Sequence, residues 1–134
     1  MSEKRSGKMV FVTGAGGFIG SHLVERLISE NFQVRAFVHY NSRGDPGLLR
    51  LIPPEIFAQV EVVAGDLCDP QAVRAAIMGC QLVFHLGAMI SIPYSYIHPL
   101  EVAETNFMGT LNILTACKEL GVERLIHASS SEVY

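Results

Sequence analysis

The chain has 134 residues, 49% hydrophobic and 17% charged, which is enough apolar material for one globular domain with a packed core. A formal net charge of −3 gives no broad electrostatic attraction to nucleic acid or to an anionic membrane. The three cysteines, Cys68, Cys80 and Cys117, are odd in number and lack CxxC spacing, so they read as buried thiols of a reducing, cytoplasmic protein rather than as disulfides or metal ligands.

In chain order, residues 1–8 read as a flexible polar leader, without an apolar segment behind it long enough for a signal peptide. Met9–Thr13 reads as a strand and Ile19–Glu30 as an amphipathic helix. Gln33–Val38 is a second strand, followed by the turn-rich loop "YNSRGDPG" and a short helix at Leu48–Leu51. Val60–Ala64 is a third strand, and Pro70–Met78 a helix capped by Asp69 with Pro70 in its first turn. Leu82–Leu86 is a fourth strand, Glu101–Leu120 a long helix and Arg124–Ala128 a fifth strand. The longest apolar stretch, Leu82 to Ile92, is broken by His85 and is too short to span a bilayer.

Strands that are apolar nearly throughout and alternate with helices predict an α/β fold, its parallel sheet covered on both faces. Right-handed crossovers give a doubly wound Rossmann domain over residues 9–134, with strand order 3-2-1-4-5. The long helix carries two apolar stripes. Val102, Asn106, Gly109, Ile113, Ala116 and Leu120 form one, and Ala103, Phe107, Leu111 and Leu114 form the other. One stripe covers the sheet; the second is either deeply buried as well or forms a subunit interface.

The stretch "VFVTGAGGFIGSHLVERLI" places Gly14, Gly17 and Gly20 where a strand turns directly into a helix. The free N–H groups and dipole at such a helix start suit a pyrophosphate. Gly14 permits the tight turn, Gly17 lets phosphates approach the backbone, and Gly20 lets the helix pack closely on the strand. GxGxxG fails because position 19 is Ile19, and a phosphate-binding GKS/T loop fails because Ser21-His22 follows Gly20. The pattern is GxxGxxG, and it predicts dinucleotide binding, with Phe18 and Ile19 beside the glycines.

With "TGAGGFIG" the sequence resembles the extended short-chain dehydrogenases/reductases, the NAD-dependent epimerase/dehydratase family. "GDLCD" resembles that family's GDxxD, which implies that Asp66 accepts from the adenine amino group and Leu67 lines the adenine pocket. "HLGA" resembles HLAA, implying that the backbone of Leu86, Gly87 and Ala88 passes beside the cofactor. "SYIHPLEVAETN" is similar to the family's stretch with Ser95, Pro99 and Asn106 at its serine, proline and asparagine positions; Asn106 is implied at the cofactor and Ser91 and Ser95 at the substrate. "SSSEVY" resembles the strand bearing the catalytic Ser/Thr. His85, in an apolar strand, reads as a satisfied core histidine without a catalytic role. His22, His39, His98 and His127 have no metal-ligand spacing, and no metal is expected. Tyr94 and Tyr96 read as packing residues of a loop over the cofactor.

The second strand ends in "VRAFVHYNSR", with no acid before Asp45. His39, Asn41, Ser42 and Arg43 are potential donors to a 2′-phosphate, which tilts the cofactor from NAD toward NADP. His39 and Arg43 equally suit a solvated loop over bound NAD.

The resemblance implies that Ser130 hydrogen-bonds a sugar hydroxyl during its oxidation, and that Glu132 takes the C5 proton of the resulting 4-ketone before water leaves C6. Ser131, between them, is the residue that GDP-mannose dehydratases and UDP-glucuronate decarboxylases carry there. The loops are most similar to those of UDP-N-acetylglucosamine 4,6-dehydratases, implying a UDP-sugar substrate. No YxxxK occurs in the chain. The expectation is the N-terminal part of a longer enzyme, inactive alone and dimeric through the 101–120 helix when complete. UDP-glucuronate decarboxylation and 4-epimerisation are the alternative reactions. A non-catalytic dinucleotide-binding module is the alternative class.

Overall fold

A computed structural model describes residues 7–129 of the chain. Its five parallel strands are β1 (Met9–Thr13), β2 (Gln33–His39), β3 (Val60–Gly65), β4 (Leu82–His85) and β5 (Arg124–His127), in the order β3-β2-β1-β4-β5. This is the doubly wound order expected from the alternation of elements. Every neighbouring pair is parallel, with Val10 opposite Val34 on one side and Leu82 on the other.

Side chains alternate across β1, and the two faces build separate cores. Val10 and Val12 pack with Val24, Leu27 and Ile28 of α1 (Phe18–Ser29) and with Val34, Ala36 and Val38 of β2. Phe11 points the other way, among Val73 and Ile77 of α3 (Pro70–Ile77), Val83, and Ile113 and Ala116 of α6 (Gly109–Leu120). Each fully buried Phe, Ile or Val here contributes about 1.5–3 kcal/mol over its exposed state. Covering on both faces holds for the central strands only: Val62 on β3 and Ile126 on β5 are exposed, because these are the sheet edges.

Asp69 caps α3 as expected, accepting from the amides of Gln71 and Ala72, with Pro70 in the first turn. A 3-10 turn at Gly47–Leu51 leads to the short α2 (Pro54–Phe57), and Leu49 anchors it in the core. Another short helix, α4 (Ile92–Ile97), starts at Ser91, whose hydroxyl accepts from the Tyr94 amide.

The predicted 101–120 helix is divided. α5 (Pro99–Ala103) passes into one π-helical turn, Glu104–Met108, before α6 begins. The first apolar stripe covers the sheet, with Gly109, Ile113 and Ala116 buried. Deep burial of the second stripe is corrected: Phe107 is 69% exposed, and Leu111 and Leu114 are also exposed. No other element of the described chain packs over them. No helix among the described residues is long and apolar enough to cross a membrane.

Candidate functional site

The carboxyl ends of the strands converge on one edge, and the glycine turn sits at its centre. Gly14 has φ +65°, and a Cβ there would lie 2.8 Å from the Gly87 amide nitrogen. A Cβ on Gly20 would lie 2.1 Å from the Gly14 carbonyl oxygen, so any side chain would push α1 off the turn. Gly17 differs: it is exposed and has only the Gly14 oxygen, at 3.4 Å, near its missing side chain. It caps α1 without a side-chain hydrogen bond, and the first turn holds no acid. Phe18 and Ile19, next in line, are about 70% exposed (71% and 70%). A helix start open to solvent, with a glycine cap that makes no side-chain hydrogen bond, suits a bound pyrophosphate.

Behind the turn lies a buried polar chain. Thr13 Oγ1 receives the amides of Leu86 and Gly87 at 3.0 and 2.9 Å and lies 2.7 Å from His85 Nδ1. His85 Nε2 lies 2.9 Å from Thr110 Oγ1, which in turn donates to the Asn106 carbonyl at 2.9 Å. His85 is 2% exposed, so both ring nitrogens are satisfied inside the core, as read from its apolar strand. Burial, and then the adjacent His127, push its pKa down to about 4. The His127 ring stacks on it, centroid to centroid at 5.3 Å.

Asn106 sits in the π turn with its amide committed. Its Oδ1 accepts from the Met89 amide at 2.8 Å and its Nδ2 donates to the Met89 carbonyl at 2.9 Å. It therefore fixes the strap that follows β4. Leu67 closes the same corner, since Cβ atoms on Gly87 and Gly109 would meet its side chain at 2.8 and 3.0 Å. This places the Leu67 side chain beside the backbone of Gly87 and Gly109. Asp66 makes a turn, accepting from the Cys68 amide at 2.9 Å.

On the other side, His39 ends β2 and is exposed, as are Ser42 and Arg43. Asn41 is engaged in its own loop: its side chain accepts from the Arg43 and Asp45 amides and donates to the Asp45 carbonyl. Ser91 lies at the start of α4 and Ser95 within it. Tyr96 is 83% exposed, whereas the Tyr94 hydroxyl donates to Glu101. Ser130, Ser131 and Glu132 lie outside the described residues. Cys68, Cys80 and Cys117 are free thiols; burial raises the pKa of each, that of Cys80 to about 11. Among the described residues no His, Cys, Asp and Glu side chains cluster as a metal site. The signal missed in the sequence was Thr13 with Thr110, whose link through His85 becomes visible only in three dimensions.

A family described as GDP-mannose 4,6 dehydratase matches residues 11–134. The chain belongs to that family, among the extended short-chain dehydrogenases/reductases. The chain is 35% identical to a 2-alkyl-3-oxoalkanoate reductase of Shewanella oneidensis over 92% of its own length and 28% of that protein. It is 31% identical to UDP-glucuronic acid decarboxylase 1 of Danio rerio, over 100% of the chain and 30% of the relative. Among solved structures it matches a Thermus thermophilus UDP-glucose 4-epimerase, in complex with NAD, with a TM-score of 0.75 and 33% identity, covering 91% of the chain and 37% of that protein. The chain thus spans about a third of the length of the relatives it matches. Its own residues fit a dinucleotide: the cleared turn at Gly14 to Gly20 for the pyrophosphate, the Leu86–Ala88 backbone beside it, and Leu67 with Asp66 at the end of β3.

Proposed function

We propose that this segment is the NAD(P)-binding part of a sugar-nucleotide 4,6-dehydratase that acts on a UDP-hexose. The observation that carries the reading of the site is the glycine cap of α1 at Gly17, without a side-chain hydrogen bond, with Gly20 and the Gly14 oxygen too close for any other residue. The chemistry rests on the sequence "SSSEVY" and on the family. A bound nicotinamide supplies the hydride acceptor for C4 oxidation and returns that hydride at C6. Ser130 hydrogen-bonds the C4 hydroxyl, and Glu132 removes the C5 proton that the 4-ketone acidifies, so that hydroxide leaves C6 as water. Ser91, Ser95 and Ser131 line the sugar side. The absence of an acid at the end of β2, with Arg43 exposed there, supports NADP over NAD.

UDP-glucuronate decarboxylation is the second reading, favoured by Ser131 and by the likeness to a decarboxylase of that substrate. Both use C4 oxidation; they part at C5, where one loses a proton and the other carbon dioxide. The exposed stripe of Phe107, Leu111 and Leu114 supports a homodimer through α6, and the free thiols support a reducing, cytoplasmic setting.

The test is turnover by the enzyme that carries these residues, supplied with UDP-N-acetylglucosamine and, separately, UDP-glucuronate. A 4-keto-6-deoxy product that disappears in Glu132→Gln supports the dehydratase. Release of carbon dioxide from UDP-glucuronate alone replaces it with the decarboxylase, and cofactor binding with neither reaction leaves a binding module.

A further inference from the structure

The loop after β2 is folded back onto the glycine turn. The Leu48 amide donates to the Gly16 carbonyl at 2.8 Å, and a Cβ on Gly16 would stand 2.8 Å from the Pro46 carbonyl oxygen. Asn41 pulls the same residues toward β2, accepting from the Asp45 amide at 2.9 Å and donating to its carbonyl at 2.8 Å. Asp45 and Pro46 are thereby wedged between the end of β2 and the phosphate-binding turn. In a doubly wound sheet this corner faces the ribose 2′ position of a dinucleotide, a hydroxyl in NAD and a phosphate in NADP.

Asp45 is the only acid between His39 and Pro54. Its carboxylate is already engaged. Oδ1 accepts from the Gly47 amide at 2.8 Å and from Arg50 Nη1 at 3.2 Å, and Oδ2 from the same nitrogen at 3.1 Å. The Gly47 amide first, then Arg50 and, more weakly, Arg43 hold the carboxyl below the usual range, so it is ionised at neutral pH. Arg43, two residues earlier, makes no ion pair among the described residues. Two arginines against one aspartate leave the corner with a net charge near +1.

We propose that the Asp45–Arg50 pair selects the ribose 2′ substituent of the cofactor, Arg50 acting as a positioning residue through Asp45. With Arg50 in place, Asp45 is neutralised and the corner favours a 2′-phosphate. Without it, the released carboxylate repels that phosphate and becomes an acceptor for a 2′-hydroxyl. This rests on reading the glycine turn as a dinucleotide site.

The experiment titrates NADH and NADPH in parallel into the wild-type chain, Arg50→Met, Asp45→Asn and the double variant, following nicotinamide fluorescence at fixed salt. Arg50→Met is expected to lower the NADPH-to-NADH affinity ratio on the order of fivefold, the effect of one uncompensated surface charge. Asp45→Asn moves the ratio the opposite way, and the double variant, again net +1, returns it toward wild type. A ratio unchanged in both single variants overturns the selector, even where both affinities fall together, as a loosened loop would cause. Saturable wild-type binding with those unchanged ratios leaves the glycine-turn reading standing; absence of binding of both cofactors to the folded wild type removes reading and selector alike.

Discussion

The Thr13 hydroxyl donates its proton to Nδ1 of His85, because both of its lone pairs are occupied by the amides of Leu86 and Gly87. The rest of the chain follows. With Nδ1 an acceptor, the neutral ring carries its proton on Nε2 and donates to Thr110, whose own hydroxyl donates to the Asn106 carbonyl. One direction of donation thus runs from the end of β1 to the π turn, and it requires an uncharged imidazole.

Thr13→Val removes the acceptor of two part-buried amides and the donor to His85 together. The expected cost is roughly 2–4 kcal/mol, since each unsatisfied buried group costs about 1–3 kcal/mol. Thr13→Ser keeps the hydroxyl and should lose far less. Urea midpoints of the three proteins measure this; equal midpoints for Val and Ser would show that the hydroxyl carries nothing.

His85 also sets an acid limit. The unfolded imidazole takes its proton near pH 6.5, whereas the folded one does so only near 4. Between these values the unfolded chain binds more protons, so stability falls as pH drops through that window and is flat in this respect above it. At about 1.4 kcal/mol per pH unit, the loss by pH 4 is on the order of 2–3 kcal/mol. Nitrogen chemical shifts of the imidazole give the direct check: Nε2 protonated and Nδ1 bare at pH 7, unchanged down to about pH 5.

Gly17→Ala and Gly20→Ala separate binding from folding. At Gly20 the added methyl would meet the Gly14 oxygen at 2.1 Å, so both melting temperature and cofactor affinity should fall steeply. At Gly17 the methyl meets only the Gly14 oxygen, at an ordinary contact distance of 3.4 Å, so the fold should hold while phosphate approach is blocked. Thermal melts beside NADH titrations distinguish them. An unaltered affinity in Gly17→Ala would place the pyrophosphate elsewhere.

The uncovered stripe on α6 predicts self-association. Leu111→Glu with Leu114→Glu should convert a dimer into a well-folded monomer in sedimentation velocity. A wild-type chain that sediments as a monomer at tens of micromolar would remove that interface.

Much of the fold was legible because its signals are local. The apolar run Met9–Thr13 ending in GxxGxxG, and Asp69 before Pro70, each specify an element by neighbours within a few residues. The π turn was not legible, because what holds it is the grip of Asn106 on Met89, 17 residues away, and no helical period encodes that. The partners of His85 lie 72 and 25 residues off, so its satisfaction was predictable and its direction was not. Asn41 is the opposite case: "YNSRGDPG" is a turn signal, and its amide serves the loop that the signal announces. The helix at Ile92–Ile97 was missed although Ser91 before Pro93 is a cap-and-first-turn pattern.

Calorimetric titration of NADH and NADPH into the wild-type chain, with Gly17→Ala and Gly20→Ala alongside, tests the central claim most directly. Saturable one-to-one binding that both variants lose, with Gly17→Ala still folded, is the predicted result. A folded wild-type chain that binds neither cofactor, or binds as well with Gly17→Ala, would contradict the assignment of the helix start as the dinucleotide site.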